Sequence, residues 1–214
     1  KKVRAGEAGA AQEMAFLNGL IERLGKGEWL GSGTSSAAEQ VWLREYQLLT
    51  AKPMVFAVNV GESQEDTPAV RRVSELARAR GARAVTIAGS IEAEVSALAP
   101  ADRADYLREL GIGEGGLVRL VRTAYDLLGL ITFFTAGETE SRAWTIREGT
   151  KAAQAAGKIH SDMERGFIRA EVYHYNDLIA CKNEAGVKEK GLFRLEGRDY
   201  LIKDGDVMFF RFNV

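Results

Sequence analysis

Pro53-Met54-Val55-Phe56-Ala57-Val58-Asn59-Val60-Gly61-Glu62 is the stretch on which the fold reading turns. A proline opens it, an unbroken apolar run follows from Met54 to Val58, and a polar, glycine-bearing tail closes it. A short continuous apolar run bounded this way predicts a strand buried in a parallel sheet. Thr67-Pro68 then predicts a helix start, with Pro at the first helical position, running to about Arg80 and stopped by Gly81. Ala84 to Ile87 predicts a second short strand, with Ala88-Gly89-Ser90 at its carboxyl end. Helical segments follow over Ile91–Leu98, Ala101–Leu110 and about Leu117–Leu128. Strand, loop, helix, strand, loop, helices is the order of an open parallel α/β sheet. Two parallel strands do not make a stable sheet alone. The rest of the sheet is therefore expected from sequence on the N-terminal side.

Upstream, Ala10, Met14, Leu17, Ile21 and Leu24 are spaced as the seam of an amphipathic helix about two heptads long. Gly25 and Gly27 are expected to end it. Gly31 to Ser36 reads as a loop or helix cap. It is not a Walker A loop, because no Lys follows its glycines and no strand precedes them. Ala37 to Leu49 is expected to be helical.

After Leu128 the pattern changes. Short strands are expected over Ile131–Thr135, Arg142–Ile146, Gly166–Val172, Leu192–Leu195, Tyr200–Ile202 and Val207–Phe212. Lys151–Gly157 and Tyr175–Ala180 are expected as short helices or turns. Gly197-Arg198-Asp199 and Asp204-Gly205-Asp206 read as tight turns. This predicts an antiparallel-rich α+β module, with a domain boundary near Gly129.

Composition narrows the class. The 214 residues are 46% hydrophobic and 28% charged, which is ordinary for a soluble globular protein. The net charge of −1 argues against a uniformly basic nucleic-acid binder. One cysteine, Cys181, excludes an intramolecular disulfide framework and fits a reducing compartment. No apolar run approaches the ~20 residues that span a bilayer. The opening residues lack both a signal-like apolar core and an initiator Met, so the sequence is expected to start inside a longer one.

Candidate functional residues were weighed against plain structural roles. Asn59 and Glu62, read alone, are a polar loop with a solvated Glu62. His160 and Asp162 invite a metal or general-base reading, but no third ligand stands at a sensible spacing, so a structural role is favoured. Trp144 reads as a packing anchor. Cys181 sits beside Lys182, yet nothing else points to redox chemistry. Lys151, Lys158, Arg165, Arg169, Lys182, Lys188, Lys190, Arg194, Arg198 and Arg211 offer a basic set facing RNA, but acidic residues interleave with them and a mixed soluble surface is the plainer reading.

Strand ends in open α/β sheets are where ligands bind. GTP-binding proteins keep their base-reading loops, Asn-Lys-x-Asp and Ser-Ala-Lys, at two such ends. Here the first reads Asn59-x-x-Glu62 and the second Ala88-Gly89-Ser90. With that change, the chain resembles the Obg-like ATPase, or YchF, family of P-loop NTPases over nearly its whole length. The resemblance is strongest over Leu48-Leu49-Thr50-Ala51-Lys52-Pro53, Thr135-Ala136-Gly137, Arg142-Ala143-Trp144-Thr145-Ile146, Gln154-Ala155-Ala156-Gly157-Lys158-Ile159-His160, Phe167-Ile168-Arg169-Ala170-Glu171-Val172 and Phe209-Phe210-Arg211-Phe212-Asn213-Val214.

The resemblance implies a layout. Residues 1–47 would hold a helical segment of a coiled-coil arm and a linker. Residues 48–128 would be the C-terminal part of an OBG-type G domain. Residues 129–214 would be a TGS domain of β-grasp fold. Asn59, Val60 and Glu62 would line the nucleotide base, with Ala88, Gly89 and Ser90 completing the wall. In guanine readers an Asp accepts hydrogen bonds from the guanine N1–H and amine. A Glu is one methylene longer and misplaces that acceptor, and adenine offers an amine but no N1–H. The resemblance therefore implies a preference for ATP. Gly61 in the loop and Ala88 in place of the usual Ser depart from the family pattern. ATP and Mg²⁺ are implied for the full-length protein, as are ribosome or rRNA association, possible protein partners and a cytoplasmic location. No catalytic residue, no metal ligand, no membrane and no DNA partner are expected in this chain. Lacking a phosphate-binding loop, it is expected to be inactive alone. The competing reading is a non-enzymatic TGS-containing adaptor for RNA or protein.

Overall fold

The computed structural model describes residues 9–31, 36–62, 66–137 and 140–213. The opening Lys1–Glu7, most of the glycine-serine loop and Val214 lie outside the described residues. The chain divides into two compact units, Lys1–Ala124 and Tyr125–Val214.

In the first unit, α1 (Ala10–Gly25) and α2 (Ala37–Tyr46) lead into a parallel pair of strands. Gly27, at φ 71°, turns the chain out of α1, while Gly25 remains its last helical residue. The expected seam is packed only in part: Ala10 is buried and Leu17 and Leu24 are half-buried. Met14 and Ile21 are 49% and 69% exposed, whereas the Phe16 ring meets Trp42 of α2 at 5.4 Å and Leu20 is buried. The large aromatic pair offers more apolar area to this contact than Met or Ile. A groove of about 590 Å³ runs between α1 and α2 past Phe16, Leu20, Arg23 and Trp42. Helix α2 begins at a Ser36–Glu39 capping box. It stops at Tyr46 rather than Leu49, because Gln47 adopts a left-handed conformation (φ 50°). A 3₁₀ turn over Leu49–Ala51 follows.

Strands β1 (Val55–Asn59) and β2 (Arg83–Ile87) pair in parallel, with Val55 opposite Arg83 and Asn59 opposite Ile87. Between them runs α3 (Pro68–Ala79), whose first turn is capped by Thr67 Oγ1 accepting from Val70 N at 3.3 Å. Gly81 at φ 65° ends it. The full burial expected of β1 is not observed: its residues are half-buried or exposed. The reason is geometric. Helix α3 packs on the pair, and among the described residues β1 pairs only with β2. Helices α4 (Gly89–Ala97), α5 (Arg103–Glu109) and α6 (Gly116–Leu128) complete this stretch. No helix among the described residues is long and apolar enough to cross a membrane.

The second unit is a five-stranded mixed sheet. It is built from β3 (Leu130–Ala136), β4 (Ser141–Arg147), β5 (Phe167–His174), β6 (Arg194–Glu196) and β7 (Asp206–Phe212), in the order β4-β3-β7-β5-β6. All pairings are antiparallel except the central β3–β7 contact. Helix α7 (Ala152–Ile159) lies on the face that presents Phe133, Val172, Met208 and Phe210. Its Ala152, Ala153, Ala155 and Ala156 are buried, and such small side chains let helix and sheet approach closely. Tyr200–Ile202, expected as a strand, contributes only a single bridge from Leu201 to Lys151. Two short helices, α8 (Ser161–Arg165) and α10 (Glu184–Glu189), flank α9 (Tyr175–Cys181) and were not foreseen. They are six residues or fewer, too short to show a helical period, and are set by the caps His160 and Asn183.

Among the described residues of this unit one carboxylate is buried, and it is fully hydrogen-bonded. Asp206 accepts from Tyr200 Oη (2.8 Å), Lys203 N (2.9 Å) and Arg194 Nη2 (3.3 Å). Burial, followed by the bond to Asp206, pushes the Tyr200 phenol up to about 12. The adjoining turn is fastened by Gly205 N to Thr132 O (2.8 Å) and Thr132 N to Asp204 Oδ1 (2.7 Å).

Gly166 closes the C-terminal strand, accepting from Asn213 N at 2.9 Å. A Cβ there would fall 1.7 Å from Asn213 O. Gly166→Ala is expected to destabilise the unit by roughly 2–3 kcal/mol in urea unfolding; an unchanged midpoint would contradict this packing. Hydrogen bonds from Arg165, Lys151 and Arg211 hold the carboxyls of Asp162, Asp199 and Glu171 below their ordinary range. Their folded values lie under the unfolded ones, so the stability they contribute is present above the unfolded values and is lost as pH falls through the folded values. The urea midpoint is expected to drop from about pH 6 to about pH 3, and Arg211→Gln is expected to flatten part of that drop.

Candidate functional site

The parallel register carries the ends of β1 and β2 to one edge. Val60 N donates to Ile87 O at 2.9 Å, extending the ladder one residue beyond Asn59. The Asn59 side chain then crosses to the second strand end, its Oδ1 accepting from Gly89 N at 3.1 Å. A Cβ on Gly89 would stand 3.0 Å from that oxygen, so a side chain at residue 89 would press on the clasp. Ala88 is buried. Helix α4 begins at Gly89, two residues earlier than expected, so Gly89 and Ser90 form a helix N-terminus rather than a loop. The structure thus brings Asn59, Val60, Ala88, Gly89 and Ser90 to one edge. Glu62 follows, exposed, at the mouth.

The support behind this edge was not visible in the sequence. Glu92 of α4 accepts from Gly116 N at the start of α6. A Cβ on Gly116 would lie 3.1 Å from Ile87 Cα, so a glycine is needed for α6 to start against the end of β2. Arg119 Nη2 donates to Thr86 O at 3.2 Å. Partners lying 24 and 33 residues apart leave no local signal. Tyr106 of α5 was also missed. Its hydroxyl donates to Glu94, and that bond, then burial, then the charges of Glu94 and Glu62 raise its phenol above the ordinary value.

The other candidates are structural in place. His160 Nδ1 accepts from Asp162 N at 3.2 Å, capping α8, and Asp162 pairs with Arg165. Trp144 stacks against Phe133 with centroids 6.4 Å apart and donates to Thr135 Oγ1 at 2.9 Å. Cys181 ends α9 against the Tyr173–Val187–Val207 cluster. Of the basic set, Lys151, Arg165, Arg194 and Arg211 are paired with carboxylates. Among the described residues no group of three or more His, Cys, Asp or Glu gathers as a metal site.

Parallel strand ends fastened in this way, followed by a mixed five-stranded unit, make this a mixed α/β protein. A family model described as YchF-GTPase_C, protein of unknown function (DUF933), matches residues 130–213. The chain is 44% identical over 215 residues to the ribosome-binding ATPase YchF of Haemophilus ducreyi, covering all of this chain and 59% of that protein. It is 43% identical over 209 residues to the protein of the same name from Bacillus subtilis, covering 96% of this chain and 57% of the other. Among solved structures, the YchF GTPase of Schizosaccharomyces pombe superposes with a TM-score of 0.77 at 28% identity, over 94% of this chain and 55% of that one. A GTP-binding protein from Pyrococcus horikoshii shares the fold at a TM-score of 0.56, with 18% identity, over 89% of this chain and 63% of that one. The chain belongs to the Obg-like ATPase, or YchF, family, and spans about three-fifths of the length of the curated relatives it matches.

The clasp is directly testable. Asn59→Ala is expected to cost about 1 kcal/mol in unfolding of the first unit, while Asn59→Asp, which keeps an acceptor, retains most of it. Equal losses in both would show that the Oδ1 bond carries nothing.

Proposed function

We propose that the edge formed by Asn59, Val60, Glu62, Ala88, Gly89 and Ser90 is the adenine-reading half of an ATP site, and that residues 129–214 are a TGS domain of β-grasp fold. The Asn59–Gly89 clasp carries the first reading. It makes the two strand ends one rigid wall at the place where ligands meet open α/β sheets. Glu62 and the backbone carbonyls offer acceptors to an exocyclic amine. The strand order β4-β3-β7-β5-β6, gripping α7 on one face, supports the second reading.

The relatives are named ribosome-binding ATPases. By that likeness, the longer protein hydrolyses ATP and associates with ribosomes; a preference for ATP over GTP, rRNA contact and a cytoplasmic location are further parts of this proposal. On this reading, the phosphate cradle and the Mg²⁺ ligands would come from parts of the longer protein outside this chain. This chain's own contribution is to orient the base. By itself it is expected to show no ATP turnover above background.

In a protein extended to the length of its relatives, ATP is expected to bind more tightly than GTP. Glu62→Asp, restoring the shorter acceptor, is expected to narrow that ratio by roughly tenfold. Isothermal titration with both nucleotides checks this. Tighter GTP binding by the unaltered protein, or a ratio indifferent to Glu62, would defeat the base-reading proposal.

A further inference from the structure

Helix α6 starts without a side-chain cap of its own. Its first turn closes with Arg119 N donating to Gly115 O at 3.2 Å, which makes Gly115 the residue before the helix. A glycine there has no side chain to accept from the first-turn amides. The nearest acid in sequence, Glu114, is turned to Arg122, its Oε1 2.8 Å from Nη2. The acceptor comes instead from another helix: Glu92 of α4 takes the N–H of Gly116. Gly115 and Gly116 are both buried, and a Cβ on them would stand 3.3 Å and 3.2 Å from Glu92 Oε1. Two bare residues thus form the berth for one carboxylate.

Helix α4 depends on that contact. Ala88, at its N-cap, makes no side-chain cap bond, and Ile91 is the buried residue within it. Side-chain bonds to three other elements seat it. Asn59 Oδ1 accepts from Gly89 N at 3.1 Å, Glu92 reaches α6, and Glu94 accepts from Tyr106 of α5. Residues 92 and 94 stand about 200° apart around a helix, so the last two hold α4 from opposite sides. The Glu92 contact ties α4 to the helix that abuts the second strand end, where a Cβ on Gly116 would lie 3.1 Å from Ile87 Cα and Arg119 Nη2 donates to Thr86 O at 3.2 Å. Without it, the first turn of α4 keeps only the Asn59 bond to locate it beside β1.

We propose that Glu92 is a positioning residue of the base edge. Its carboxylate, seated on the start of α6, sets where the backbone of Ala88, Gly89 and Ser90 stands against Asn59, Val60 and Glu62, and so how tightly a base is held there. The assignment rests on the adenine-edge reading above and deepens it. Glu92 is directed at α6 and not at the edge, so it acts through the first turn of α4, and its effect falls on the base and not on the phosphates.

The test uses a protein extended to the length of its relatives, titrated calorimetrically with ATP and with inorganic tripolyphosphate, with steady-state ATP turnover measured alongside. Glu92→Ala is expected to weaken ATP binding roughly 5- to 30-fold and to leave tripolyphosphate binding unchanged. It is expected to raise KM while kcat stays within about twofold of wild type, as when an interaction equal in ground and transition states is lost. Glu92→Gln keeps an oxygen that accepts from Gly116 N and is expected to recover most of the loss. Glu92→Asp, a methylene short of that N–H, is expected to behave as Glu92→Ala does, and it carries the test should the alanine variant fail to fold; a thermal melt establishes folding of each. Wild-type ATP affinity in the folded alanine or aspartate variant, an equal loss of tripolyphosphate binding, or a glutamine variant as weak as alanine would overturn the assignment of Glu92. The base-edge reading survives those results as long as the unaltered protein binds ATP more tightly than tripolyphosphate. ATP bound no more tightly than tripolyphosphate would overturn that reading, and this one with it.

Discussion

The in-register parallel pairing of β1 with β2 constrains everything in the first unit that bears on function. Parallel strands place both carboxyl ends at one edge by necessity, and the register fixes Asn59 opposite Ile87. From there a single side-chain bond to Gly89 N converts two loose strand ends into one wall. Glycine at residue 89 leaves room for that bond, and Gly116, drawn in by Glu92, seats α6 against the end of β2. The local chemistry is modest, about one hydrogen bond's worth at each contact. Its consequence is positional: the backbone of Val60, Ala88 and Ser90 and the carboxylate of Glu62 share one edge.

The second unit divides its sheet between two tasks. The α7 face is alanine against aromatic and aliphatic side chains, dry and closely packed. The opposite face is partly covered around Tyr173, Val187 and Val207, and elsewhere carries arginines, a shared glutamate and an open phenylalanine. The network around Asp206 anchors the turn that starts β7. The central strand is therefore held in register while its outward side chains stay at the surface.

Much of this was legible in the sequence where the signal was local. The apolar run before Asn59, Pro68 at a helix start and Gly205 in a tight turn each marked an element within a residue or two. The candidate edge was legible as two strand ends, but not as a clasp, since Asn59 and Gly89 lie thirty residues apart. Tyr106, Glu92 and Gly116 were missed for the same reason. The α1 seam held at Ala10, Leu17 and Leu24 but not at Met14 and Ile21, since spacing alone does not register the Phe16–Trp42 contact. Tyr200–Ile202 looked like a strand by composition, yet its polar partners draw it into the Asp206 network instead of a ladder. The burial expected of β1 assumed strands on both sides, and among the described residues it has one.

The central claim is that the two strand ends form one base-reading wall. It is tested most directly by titrating ATP into an isotopically labelled protein extended to the length of its relatives and following backbone amide shifts. The account expects the amides of Val60, Gly61, Glu62, Ala88, Gly89 and Ser90 to move together, with one shared saturation curve. Saturable ATP binding that leaves these amides unmoved, or that moves one strand end without the other, would contradict it.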